Sequence, residues 1–534
     1  NKYLSIFFQL IKIYINQGVL SLKKTILYLL SFTLVINTIL GGCVYNPNKN
    51  DGFLTVLNKN ETILQAFYWE MCEADYPEEE KNLWCLLVQK APELSEVGFT
   101  AVWLPPANKA MGGKRDVGYA TYDLWDLGEF NQKGTVRTKY GTKEELESAI
   151  KILHGNGIKV YYDAVLNHRM GADSTETVKL SLNSPDKPGQ TILAWTKFTF
   201  PGRKNKYSDF QWNWQCFDGV DWDEKTKTSG KFLFEGKSWD YTFIWDDDYL
   251  MGADVDYENL EVQEDVTNWG NWIINEIGFD GFRLDAVKHI DSRFINQFIN
   301  DVQKSSSKDL FFVGEAWIED INTLAKFLDT VNNDDLKVFD FPLRRSFEDM
   351  INGTDMRTLQ YTGLVNKEGY KNRAVTFVDN HDTNRDGKDP GIYRRKYQAY
   401  AYILTREHGI PVVYWKDYYI YNMKNELDKL LEVRKYFAYG PGYEVDNNDE
   451  DVYSYVREGL EEVEGDGLVL MISDGESGEI ISKRINSRQP NTTFYDYTGH
   501  VQGKIITDER GYGDFKVRKS ENEGWSVWVP VIKK

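Results

Sequence analysis

The chain has 534 residues with 41% apolar and 27% charged content. Such values belong to a soluble globular protein, and single cores stop growing near about 250–300 residues, so more than one domain is expected. A formal charge of −19 leaves no basic surplus to neutralise phosphates and excludes a nucleic-acid binder. Aromatics reach 14%, including 16 Trp and 33 Tyr, which a large core and a sugar-stacking surface would both use.

Residues 1–43 contain no acid and carry long apolar runs. Lys23-Lys24 followed by Thr25 to Leu40 has the charged and apolar regions of an export signal. It ends in Leu40-Gly41-Gly42-Cys43, which resembles a bacterial lipobox, where the Cys is lipidated and becomes the mature N-terminus. The alternative is an ordinary signal peptide or membrane anchor with a chance Cys. The expectation is an exported protein, anchored to the membrane or cell surface only through lipid on Cys43, or otherwise secreted. The apolar run before Lys23 reads as sequence upstream of the true start, and residues 44–60 read as a tether. Cys72, Cys85 and Cys216 are too few and too sparse for a disulfide framework and are expected to be small buried hydrophobes.

From residue 60 onward, eight β-rich runs alternate with helical stretches. They are Thr62–Trp69, Phe99–Leu104, Ile158–Asp163, Gly281–Asp285, Leu310–Glu315, Lys337–Phe341, Ala374–Val378 and Ile410–Tyr414. Between them, Thr142–Leu153 opens with a helix cap and early acids, and Val262–Glu276 is a second helix. Near-continuous apolar strands mean a parallel sheet covered on both faces. Eight such units predict an α/β fold, a (β/α)8 TIM barrel, over 61–166 and 261–432. The interval 167–260 is too long for a plain loop and reads as a domain inserted after the third strand. It holds Trp212, Trp214, Trp222, Trp239, Trp245 and dense acids. Over 433–534 the alternation stops. Turn-separated runs such as Gly467–Ile472 and Gly524–Pro530 predict a C-terminal all-β sandwich.

Charge collects at strand ends, where barrels of this kind place chemistry. Gly278–Ile290 runs an apolar strand into Arg283, Asp285, Lys288 and His289, groups that are costly together unless paired or functional. Asp163, Glu315 and the run Asp379-Asn-His-Asp382 end other strands. One Asp after a strand is commonly a helix cap. Four charged clusters at the same end of successive strands are not.

Asp163-Ala-Val-Leu-Asn-His168, Gly281-Phe-Arg-Leu-Asp-Ala-Val-Lys-His289, Val313-Gly-Glu-Ala-Trp317 and Phe377-Val-Asp-Asn-His-Asp382 resemble the four signature segments of the α-amylase family of glycoside hydrolases (family 13). Tyr249-Leu-Met-Gly-Ala-Asp-Val-Asp256 resembles an additional segment of that family. The likeness runs from about residue 60 to the C-terminus and is strongest to the bacterial liquefying members. It implies endo-hydrolysis of α-1,4 bonds in starch- or glycogen-type glucan by a monomer, through a covalent glycosyl intermediate. By resemblance Asp285 is the nucleophile, Glu315 the general acid and base, and Asp382 the transition-state stabiliser. Arg283, two residues earlier on the same strand, can keep Asp285 ionised. The apolar surroundings of Glu315 (Phe311, Phe312, Val313, Ala316, Trp317) are expected to raise its pKa. Tyr119, His168, Arg283, Lys288, His289 and His381 are implied as substrate contacts.

The resemblance also implies Ca2+, which suits oxygen-rich ligands without a Cys/His cluster. Asn167, Asp248, Asp254 and the carbonyl of His289 would hold one ion. Asp221, Asp240, Asp256 and Glu258 would form a neighbouring site for a second Ca2+ or Na+. Glu258 stands where relatives carry Asp, and the loop after strand eight, at Val413-Tyr414-Trp415-Lys416, departs from the family pattern. The alternatives are a maltooligosaccharide-forming exo-amylase or glucan transferase, and a non-catalytic starch-binding surface lipoprotein. The intact set Asp285, Glu315 and Asp382 speaks against the last.

Overall fold

The structure, a computed structural model, describes residues 60–72, 82–240, 248–445, 449–463 and 465–531. The leader, Cys43, nearly all of the tether and Trp245 lie outside the described residues.

Eight parallel strands close into a barrel: β1 (Ile63–Gln65), β2 (Ala101–Trp103), β3 (Lys159–Ala164), β4 (Gly281–Leu284), β5 (Phe311–Gly314), β6 (Leu336–Phe339), β7 (Ala374–Phe377) and β8 (Ile410–Tyr414). Each neighbours the next in sequence, and β1 closes on β8 with Ile63 opposite Val412. Six fall within their expected runs, and β3 and β6 overstep theirs by one residue, at Ala164 and Leu336. The strands read as continuous apolar stretches because both faces are covered, inside by the barrel core and outside by helices. On β4, Arg283 lies opposite Asp163 of β3 and Val313 of β5, which sets the charged residues of three strands side by side.

Eight α-helices follow the strands: α1 (Leu83–Val97), α2 (Lys143–Gly155), α3 (Leu260–Trp272), α4 (Ser292–Ser305), α5 (Ile321–Val331), α6 (Phe341–Asp349), α7 (Lys396–Thr405) and α8 (Lys424–Tyr436). The cap expected at α2 is a full capping box: Thr142 accepts from the Glu145 N–H, and Glu145 accepts from the Thr142 N–H at 2.8 Å. α3 runs through a π turn and stops at Gly278, whose φ of +101° turns the chain into β4. At Gly281 a Cβ would stand 2.0 Å from the Phe311 carbonyl oxygen, so only glycine lets β4 approach β5 this closely.

After β3 the chain leaves the barrel. A two-stranded ribbon (Ser174–Lys179 with Thr191–Lys197) precedes a four-stranded sheet ordered Thr228–Leu233, Phe217–Asp223, Ala253–Val255 and His168–Arg169. The last of these strands begins four residues beyond β3, so the inserted sheet is fastened directly to the C-terminal end of the barrel strands. The C-terminal part is all-β, with a six-stranded antiparallel sheet facing the pair Ile480–Asn486 and Tyr512–Arg518. Val456, Met471, Phe494, Phe515, Val517 and Trp528 fill the space between them. The expectation of buried cysteines holds for Cys216, while Cys72 is half-buried and Cys85 is exposed on the first turn of α1.

Candidate active site

At the C-terminal end of the barrel a cleft of about 420 Å3 is lined by Tyr119, His168, Asp285, Lys288, His289, Glu315, His381 and Asp382. Every residue singled out as catalytic or substrate-binding from the sequence lines it except Arg283, which lies beneath, 1% exposed. Arg283 Nη1 donates to Asp285 Oδ1 at 2.5 Å and to Asp163 Oδ1 at 2.7 Å, and its Nη2 lies 2.9 Å from Glu315 Oε2. A single guanidinium thus brackets three carboxylates from three adjacent strands.

The backbone after Asp285 completes this arrangement. Ala286 takes the left-handed conformation (φ +48°), which costs an L-residue about 1–3 kcal/mol and persists only where the surroundings enforce it. Here it points the Ala286 N–H at Glu315 Oε2, 3.1 Å away. Burial, reinforced by the nearby anions Asp285 and Asp382, outweighs Arg283 and lifts Glu315 to about 8. That is the direction expected from its apolar surroundings, and it leaves Glu315 protonated at neutral pH. Burial likewise raises Asp382, whose Oδ2 lies 3.2 Å from His381 Nε2.

His381 is driven well below the usual imidazole range by burial, with Arg283 adding to the effect, and is neutral. Its Nδ1 lies 3.0 Å from the Gln65 amide of β1. Tyr119 stacks on the His381 ring (5.2 Å, 9°) and donates its hydroxyl to Asp163 at 2.8 Å. Trp103 Nε1 donates to the same Asp163 oxygen, Oδ2, at 3.0 Å. His168 Nε2 meets the Tyr119 carbonyl at 3.0 Å.

A second group of carboxylates lies where the inserted sheet meets the barrel. Oxygens of Asp218, Asp240 and Asp256 lie within 4.8 Å of one another, as do those of Asp218, Asp248 and Asp254. These acids are all buried. Burial, and then their mutual repulsion, pushes Asp240 up to about 9 and Asp218 and Asp254 well above the carboxylate range. Four buried oxygens have no hydrogen-bond partner: Asn167 Oδ1, Asp218 Oδ2, Asp240 Oδ1 and Asp254 Oδ2. Bare oxygens converging in a buried acid cluster can hold a hard cation. Of the residues expected at a metal, Asp221 and Glu258 stand outside both groups. Asp221 accepts from the Gly252 N–H at 3.0 Å, and Glu258 is exposed beside Arg293.

The model of the family "Alpha amylase, catalytic domain" matches residues 87–422, and "Alpha-amylase C-terminal" matches 468–529. An alpha-amylase of Geobacillus stearothermophilus is 42% identical, over 88% of this chain and 87% of that protein. A glucan 1,4-alpha-maltohexaosidase of a Bacillus species is 38% identical, over 94% and 97% respectively. The chain belongs to the α-amylase family. Among solved structures, the Geobacillus thermoleovorans α-amylase complexed with acarbose shares the fold, at TM-score 0.61 and 20% identity over 90% of this chain and 99% of that one.

As an α-amylase family member the protein is a glycoside hydrolase acting on α-1,4-linked glucans. Other residues of these clefts and clusters carry little mark in the sequence. Asp163 was noted only as a strand-end acid, yet it is the buried partner that Arg283, Tyr119 and Trp103 share. Asp218 was passed over for Asp221, three positions on. Trp195 and Trp222 are exposed, and both donate their indole N–H to Glu224 Oε2, at 3.2 and 2.9 Å. They line a second cleft of about 470 Å3 with Arg169 and Gly252, next in sequence to residues of the first.

Proposed function

We propose that the chain cleaves internal α-1,4-glucosidic bonds with retention of configuration, Asp285 acting as nucleophile and Glu315 as acid and then base. The observation that carries this is the Arg283 bracket, which holds the two carboxyls as neighbours with the proton on Glu315. In the first step the Glu315 proton passes to the glycosidic oxygen as its bond to C1 breaks, and an Asp285 oxygen bonds C1. In the second, Glu315 takes a proton from water, the water oxygen bonds C1, and the Asp285 carboxylate leaves. Asp382 and His381, side by side at the cleft, accept from and donate to hydroxyls of the flattening sugar ring. Asp285→Asn and Glu315→Gln are each expected to lower kcat on soluble starch by about 10^4-fold or more. The first-formed products, read by NMR, are expected to be α-anomers. β-anomers, or near-wild-type rates in either variant, would reject the assignment.

A second reading of product length has support of its own. The second cleft lengthens the binding surface on one side, and a relative 38% identical is named a maltohexaosidase. A product time course on starch separates mixed endo-products from one dominant oligosaccharide.

The buried acid cluster is part of the same proposal as a calcium site. Asn167, Asp218, Asp240, Asp248 and Asp254, with the His289 carbonyl, would hold the ion. Their carboxylates would be neutralised by such an ion, which would join the inserted sheet, through Asp218 and Asp254, to the segment after Asp285. Export with lipid on Cys43 rests on the Leu40–Cys43 pattern alone, and metabolic labelling with a fatty acid tests it.

A further inference from the structure

We propose that Arg385 is a further substrate-binding residue of the cleft, donating to hydroxyls of a glucose unit beside the one that reacts, and that a buried Lys416 bridge holds it in place. The inference rests on the catalytic reading of the cleft above and adds to it. Arg385 lines the cleft with Asp382. Its guanidinium lies over the Trp69 ring, 4.0 Å from the centroid, and Trp69 packs in turn on Tyr119 and His381 at 5.3 and 5.5 Å. Among the described residues the guanidinium has no hydrogen-bond or ion-pair partner. Stacking occupies the face of that group and leaves its N–H edge free, and the acceptors a glucan offers there are its hydroxyls. The Arg385 charge also reaches Asp382, so an action through that carboxylate is the competing account.

The loop that carries Arg385 is held at several points. Arg385 and Asp389 exchange backbone hydrogen bonds at 2.8 and 2.9 Å, which closes the segment into a tight turn. The Asp386 N–H donates to Glu70 Oε1 at 3.3 Å. The Lys416 side chain is 2% exposed, and its ammonium lies 2.6 Å from Asp386 Oδ1 and 3.5 Å from Glu70 Oε2. That Glu70 oxygen is buried and has no hydrogen-bond partner, so the ammonium is its compensating charge. One buried cation thus joins the residue after Trp69, beyond β1, to the residue after Arg385, beyond β7. Lys416 itself stands two residues past β8, in the stretch Val413–Lys416 noted above. Without it Glu70 and Asp386 would face each other as like charges, and the loops bearing Trp69 and Arg385 would lose their tie.

Steady-state kinetics of the full-length protein on maltoheptaose tests both parts. Arg385→Met is expected to raise KM about tenfold to a hundredfold, the worth of a hydrogen bond from a charged donor. Its kcat is expected to change less than about threefold, because a contact to an unreacting sugar is made equally in the ground and transition states. Lys416→Met is expected to raise KM in the same direction, and to add less than about twofold when made in Arg385→Met, because it acts through that residue. An unchanged KM in Arg385→Met would overturn the proposal. So would a loss confined to kcat, which would assign the residue to Asp382. Multiplying effects in the double variant would overturn the part given to Lys416. An active Asp285→Asn enzyme would instead reject the catalytic reading of the cleft, a result distinct from any change in KM. Arg385 is half-buried in a loop, so its variant decides the binding role whatever the stability of Lys416→Met.

Discussion

Arg283 Nη2 lies 2.9 Å from Glu315 Oε2, while Nη1 of the same guanidinium serves Asp285 and Asp163. One positive charge is thus divided among three buried carboxylates, with Asp382 a fourth nearby. The sum stays negative, so a proton is retained, and burial favours it on Glu315, raised to about 8, over Asp163, raised to about 7. A lysine could not make this contact set, because its single ammonium lacks the planar fork. Arg283→Lys is expected to lower kcat by about 10^2–10^3-fold, the range seen when one preorganised donor is lost. A loss of less than tenfold would show that the bracket is not needed for catalysis.

The retained proton has a pH signature. Glu315 must be protonated to act as an acid, so activity is present below its pKa and falls as pH rises through about 8. The Asp285 anion is among the groups that hold that pKa up. In Asp285→Asn, carboxyl carbon NMR is therefore expected to find Glu315 titrating at lower pH than in the wild type. An unchanged or higher value would remove the electrostatic account of the acid.

Asp163 touches no part of the cleft surface, yet it receives Arg283, the Tyr119 hydroxyl and the Trp103 indole at 2.7, 2.8 and 3.0 Å. Removing it leaves Arg283 paired with Asp285 and Glu315 but leaves the buried Tyr119 hydroxyl and Trp103 indole without an acceptor, at about 1–3 kcal/mol. Asp163→Ala is expected to lower stability by that amount in denaturant titration and to lower kcat, with KM changed less, because Arg283 loses its anchor. Stability unchanged within about 1 kcal/mol would show that water or Asp285 compensates.

These sites were unequally legible in the sequence. The barrel strands were plain because strands buried on both faces leave long apolar runs, and the carboxylates proposed as catalytic were plain because each ends one. The proposed metal ligands were not. Phe217–Asp223 carries both Asp218 and Asp221, and alternation sends them to opposite faces. Which face meets the cluster depends on pairing with Ala253–Val255, a register broken between Asp254 and Val255. The left-handed Ala286 left no mark at all, since an alanine gives no sign of positive φ.

The second cleft predicts a dependence on chain length. Trp195 and Trp222 are 41% and 37% exposed and share the Glu224 carboxylate, which fixes both rings. Fixed indoles lose little entropy when a sugar stacks on them. Trp222→Ala is expected to raise KM for long amylose about threefold to tenfold, matching about 0.5–1.5 kcal/mol of stacking, and to leave maltotetraose hydrolysis unchanged. Equal effects on both substrates would place the ring outside the binding track.

Metal removal predicts a stability change whose sign follows from the buried acids. In the absence of a cation, burial raises Asp240 to about 9 and Asp248 to about 7, both above their unfolded values. Acids shifted this way favour the fold while protonated, so their contribution is complete below the unfolded carboxylate pKa and is lost as pH rises through about 7 to 9. The chelated protein is therefore expected to lose Tm steeply between pH 6 and 9. A bound divalent ion replaces those protons and keeps the carboxylates ionised, so the calcium-loaded protein is expected to hold its Tm over the same range. Calorimetry with and without chelator at the two ends of that range measures the difference directly. Parallel Tm curves would mean that the cluster is neutralised by something other than a divalent cation. Convergence toward acid and divergence toward alkali would identify the carboxylates as its ligands.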